Sequence, residues 1–150
     1  MATLLAACAG FLFAVLWFDL MFDVQVQRHR GASVLPEATL ASIAAYYRRV
    51  TTDAHPMGRL VGAVMLVAVA VALERLVRGP APIALRLGTV ALVAAPTLLA
   101  AGRVVPNAVR LARRADPAPV QSALARAICR DHLVCLGCIA ALLALVLVAG

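Results

Sequence analysis

Two carboxylates sit in a stretch apolar enough to lie in a bilayer. In Leu16-Trp17-Phe18-Asp19-Leu20-Met21-Phe22-Asp23-Val24-Gln25, Asp19 and Asp23 are four residues apart. On a helix that spacing stacks them on one face, one turn apart. An ionisable group inside a membrane segment is costly, and it faces the bundle interior with a partner. Such a pair has four uses open to it: charge pairing that fixes helix register, a ligand pocket at the membrane face, metal ligation, or proton transfer.

The other polar residues that reach the same level are Arg59, Arg103, Asn107, Arg130, Asp131 and His132, with His55 close by. As a structural layer, the two aspartates pair with Arg59 and Arg103. As a pocket, Asp19, Asp23, Arg59, Arg103, Asn107, Arg130 and His132 line a site for an amphipathic ligand. Asp19, Asp23, His55 and His132 also make a carboxylate–histidine set of the kind that binds iron, manganese or zinc. The Glu-x-x-His pairs of helical di-metal sites are absent from the sequence, and nearby arginines oppose a cation. No metal and no cofactor are expected. A conducting wire is not expected either, because Val64–Ala72 and Leu142–Val148 contain no polar side chain.

Cys135-Leu136-Gly137-Cys138 is a CxxC motif, which can act as a redox dithiol. It resembles the late-helix motif of the vitamin K epoxide reductases, which feed it from a loop cysteine pair that this chain lacks. Within an Ala-, Leu- and Gly-rich span, Cys135 and Cys138 read as small apolar packers, as do Cys8 and Cys129. No loop cysteines supply a disulfide framework.

These residues must be positioned by helices in lipid. The chain of 150 residues is 64% hydrophobic and 14% charged, against about 45–50% and about 25% in soluble domains. Its mean hydropathy is +0.96. The apolar residues fall in blocks at about 2–26, 57–77, 83–105 and 132–149, each long enough for the roughly 30 Å hydrocarbon core. The run continues well past Leu5-Ala6-Ala7-Cys8, so the first block is expected to be a retained helix rather than a lipoprotein leader. Pro96 predicts a kink in the third block. Glu74 and Arg86 stand at the same end of the second and third blocks and are expected to pair. Between the first two blocks, residues 36–54 carry apolar Leu40, Ile43, Ala44, Tyr47 and Val50 at helical spacing. This predicts an amphipathic helix lying along the membrane surface. Val105-Pro106-Asn107 is expected to open the second long loop. The fold class expected is an all-α, integral membrane four-helix bundle in one domain.

The net charge is +7, and all 14 basic residues are arginine. They lie in loops and at block ends, the pattern of membrane topology rather than of nucleic-acid binding. The two long connections hold eleven of them and the short one three. Both long loops are therefore expected in the cytoplasm and both termini outside, with a bacterial inner membrane as the location. Gly62-Ala63, Ala100-Ala101-Gly102, Gly137 and Ala140-Ala141 permit close helix approach, within the chain or in a homo-oligomer.

Thr97-Leu98-Leu99, Val105-Pro106-Asn107 and Arg130-Asp131-His132, all in the second half, resemble the anthrone oxygenase-like family. Its members are small four-helix membrane proteins with a Pro-Asn element after the third helix and a basic-and-histidine element before the fourth. The resemblance implies a four-helix bundle and, for fungal members, metal-free oxidation of polycyclic phenols. It does not extend to the Asp19/Asp23 segment.

Two functions are compatible with these residues. One is a non-enzymatic membrane module that packs with itself or with a membrane protein partner, using a buried Asp–Arg layer for register. The other is an oxygenase- or oxidoreductase-like enzyme, or a binding protein, that holds a lipophilic small molecule in the same layer.

Overall fold

The computed structural model describes residues 1–53 and 55–149 and is 88% helical. Helix α1 (Ala2–Asp23) tightens into a 3₁₀ turn at Val24–His29. Helix α2 (Glu37–Arg48) ends in a π turn at Arg49–Asp53, before α3 (His55–Arg78). Helix α4 (Ile83–Leu99) passes through a π turn (Ala100–Val104) into α5 (Val105–Ala112), and α6 (Ala118–Ala149) closes the chain. Among the described residues, four runs are long and apolar enough to cross a bilayer: Ala2–His29, Pro56–Arg78, Ile83–Ala112 and Ala118–Val148. At about 1.5 Å per residue even the shortest exceeds the roughly 30 Å core. The protein is an all-α, four-span membrane bundle.

The spans form a ring in which α1 packs on α3 and α6, and α4 packs on α3 and α6. The α1-to-α3 and α4-to-α6 connections lie at the arginine-rich end, and the α3–α4 turn lies at the end that carries the termini. That turn needs Gly79, because a Cβ there would collide with the Arg75 carbonyl and press on Arg86 Cδ at 3.3 Å. Arg86 does not pair with Glu74. Its Nη1 donates to the Leu76 carbonyl at 2.6 Å, capping the last turn of α3 where carbonyls lack helical donors.

Among the described residues the bundle has two apolar cores, one above the other. The first joins the spans through Leu5, Leu12, Val71, Val93, Ile139 and Leu142. The second, at the arginine-rich end, joins Val26, Leu40, Ile43, Val104, Leu111 and Ile128. Helix α2 supplies much of this second core. Pro36 and Glu37 start it, as suits a helix N-terminus. Its apolar stripe of Leu40, Ile43, Ala44 and Tyr47 is buried. The expected amphipathic helix is present, and its apolar face packs on α5 and α6.

The third span differs from expectation at its end. The regular ladder of α4 contains Pro96 and gives way four residues later to the π turn, a common consequence of a displaced backbone ladder. Val105-Pro106-Asn107 then continues as helix instead of opening a loop. Pro106 has no N–H to continue the ladder, and it follows directly on the π turn, where the ladder is already displaced. The glycines at three of the small-residue sites face open space. Cβ atoms at Gly62, Gly102 and Gly137 would meet nothing within 4 Å, so these glycines make no close helix contact within the chain.

The first half of α6 stands beyond the bundle and holds the connection between α1 and α2. Arg126 donates to the carbonyls of His29, Ala32 and Ser33. Ser122 is fully buried. Its Oγ accepts from Leu35 N–H at 2.9 Å and donates to the Ala118 carbonyl at 2.7 Å. A buried amide without its acceptor costs about 1–3 kcal/mol. Ser122→Ala is expected to lower stability by that amount, measured by thermal unfolding in detergent. An unchanged midpoint would mean that Leu35 finds another acceptor.

Candidate functional site

The level between the two cores is polar. Helix α1 delivers Asp19 and Asp23 to it on one face, as their spacing requires. Asp23 is fully buried and His132 is 5% exposed. His132 Nδ1 lies 2.6 Å from Asp23 Oδ2, and Nε2 on the other side of the ring lies 3.8 Å from Asp19 Oδ2. One imidazole on α6 thus hydrogen-bonds Asp23 and stands near Asp19.

Helix α2 completes the site with two adjacent phenols. Tyr47 Oη donates to Asp23 Oδ1 and Tyr46 Oη donates to Asp19 Oδ1, each at 2.6 Å. Tyr46 is held flat against Phe22 of α1, with ring centroids 4.1 Å apart and planes at 10°. Gln25 Nε2 donates to Ser42 Oγ at 3.2 Å one turn away, a further tie between α1 and α2. Hydrogen bonds to charged groups are worth about 1.5–3 kcal/mol, and losing one partner of a buried charge costs more. Burial, and then the neighbouring carboxylates, push both phenols above their ordinary value of 10.0. Both therefore stay protonated as donors.

The arginines expected in this layer are elsewhere. Arg59, near the start of α3, is exposed and forms no ion pair among the described residues. Arg103, on the π turn, places Nε 3.1 Å from Asp131 Oδ2. That oxygen accepts no hydrogen bond, so the contact is one of charge without hydrogen-bond alignment. Arg130 lies 3.7 Å from Asp131 Oδ1. Asn107 is partly buried on α5 and makes no side-chain hydrogen bond to the site among the described residues. The layer expected to be Asp–Arg is an Asp–His–Tyr network, with a separate Asp131–Arg103 contact beside it. The reason is neighbourhood: the carboxylate face of α1 turns towards α2 and α6, whereas Arg59 begins α3.

Among the described residues, no group of three His, Cys, Asp or Glu side chains converges as a metal set. Asp23 and Asp19 face different nitrogens of one ring rather than a common point. The His55 side chain lies outside the described residues. Cys135 is buried with Sγ 4.0 Å from the Pro96 carbonyl, Cys138 is partly buried, and both are free thiols.

Tyr46 and Tyr47 are the site residues that the sequence reading missed as polar groups. Tyr47 was legible as a helical core position, and a buried phenol in such a stripe needs an acceptor. No family model, no curated protein and no solved structure matches the chain.

The chain has only two tyrosines and no lysine, so tyrosinate absorbance reads this site alone. Native phenols that keep their protons where the unfolded chain releases them make stability fall as pH rises above 10.0. The folded protein is expected to show neither tyrosine ionised one unit above 10.0, and both ionised in denaturant. Ionisation near 10.0 while the helices remain folded would show that the phenols are not held as described.

Proposed function

We propose that the protein is a non-catalytic membrane module whose Asp–His–Tyr network fixes the register of α1, α2 and α6, presenting the bundle to a second copy or to a membrane protein partner. One observation carries this reading: each carboxylate is already held by a phenol, and Asp23 is held by His132 as well. Neither the groove of about 490 Å³ beside α1 and α6 nor the small cavity of about 20 Å³ at the α3–α4 end is lined by a network residue. The open space at Gly62, Gly102 and Gly137 suits close approach by another helix. In this reading the arginine-rich end faces the cytoplasm, both termini lie outside, and the membrane is a bacterial inner membrane.

One feature favours a second reading. Asp19 Oδ2 stands 3.8 Å from His132 Nε2, beyond hydrogen-bond length, and the Asp19 side chain is 15% exposed. A lipophilic molecule could bring a polar group to that edge, as in a binding protein or an oxygenase-like membrane enzyme.

Asp19→Asn separates the two. The module reading predicts a loss of about 1–3 kcal/mol in stability, read from unfolding in detergent. It also predicts that solvent extraction recovers the same molecules from variant and parent. Normal unfolding combined with loss of a stoichiometric lipophilic molecule would transfer the conclusion to the second reading.

A further inference from the structure

The groove beside α1 and α6 has a composition that the network does not explain. It is lined by Arg30 from the α1–α2 connection and, in succession along α6, by Arg126, Arg130, Leu133 and Val134. Among the described residues, Arg30 and Arg126 form no ion pair, and the carboxylate facing Arg130 is Asp131 at 3.7 Å, shared with Arg103 at 3.1 Å. Arg126 is spent on backbone carbonyls that leave its charge unneutralised. Arg30 gives its Nε to Gln27, which leaves its two terminal nitrogens free of side-chain or backbone acceptors among the described residues. Leu133 and Val134 are 45% and 51% exposed. They begin the lipid-facing surface of α6 immediately beyond the arginines.

Positive charge that turns to apolar surface within one turn of a spanning helix matches the two ends of an anionic amphiphile. Basic recesses between spanning helices at the charged face of a membrane bind anionic lipid headgroups. A volume of about 490 Å³ falls within the range of small-ligand sites, about 300–1,000 Å³. We propose that this groove binds an anionic phospholipid, its phosphate between Arg30 and Arg130 and its acyl chain along Leu133 and Val134. The site shares no residue with the Asp–His–Tyr network, so it stands whichever role that network has.

The test is native mass spectrometry in neutral detergent with phosphatidylglycerol or phosphatidylcholine of the same acyl chains. The parent protein is expected to retain one phosphatidylglycerol in preference to phosphatidylcholine. The exposed pair Arg30→Gln/Arg130→Gln should weaken that retention about tenfold or more with unfolding unchanged. Arg75→Gln/Arg78→Gln, at the opposite end, should not affect it. Glycerol 3-phosphate should not displace the lipid. Equal retention of the two lipids in the parent, a preference that survives Arg30→Gln/Arg130→Gln, or an equal loss in Arg75→Gln/Arg78→Gln would overturn the proposal. Displacement by glycerol 3-phosphate would make the groove a soluble-phosphate site and overturn it too.

Discussion

The constraint on which the structure depends is the burial of Asp23. A fully buried carboxylate without partners is strongly unfavourable, and it must be met from outside its own helix. Its two oxygens are met from two directions, by Tyr47 of α2 and His132 of α6. That requirement explains why α2 folds back against the bundle.

The network also sits where the two apolar cores would otherwise be independent. Burial of Leu, Ile and Val is non-directional and tolerates a change of register. Three hydrogen bonds of 2.6 Å between side chains of α1, α2 and α6 tolerate far less. The long α6 runs through both cores, and through Ser122 and Arg126 it sets the path of the α1–α2 connection. The polar layer and this strap act on the same three helices.

Much of this architecture was legible in the residues themselves. The apolar blocks, the four-residue spacing of Asp19 and Asp23, and the stripe of Leu40, Ile43, Ala44 and Tyr47 follow from helical period alone. His132 could be placed at the right level by counting residues along its span. The order of helices around the ring was not legible, because chain position does not state which face turns to which neighbour. The arginine pairing expected for Asp19 and Asp23 failed for that reason. Tyrosine was read as core because its ring belongs there, and only the fold shows which acceptor its hydroxyl reaches. The continuation of α4 into α5 was hidden by Pro106, which ends a helix in one context and starts one in another.

The most direct test of the claim that the network fastens α2 to α1 is a double-mutant cycle of Tyr47→Phe and Asp23→Asn, followed by denaturant unfolding in detergent. Direct hydrogen bonding predicts a coupling energy above about 1 kcal/mol between the two changes. Additivity within about 0.3–0.5 kcal/mol would contradict it and would leave α2 held by its apolar stripe alone.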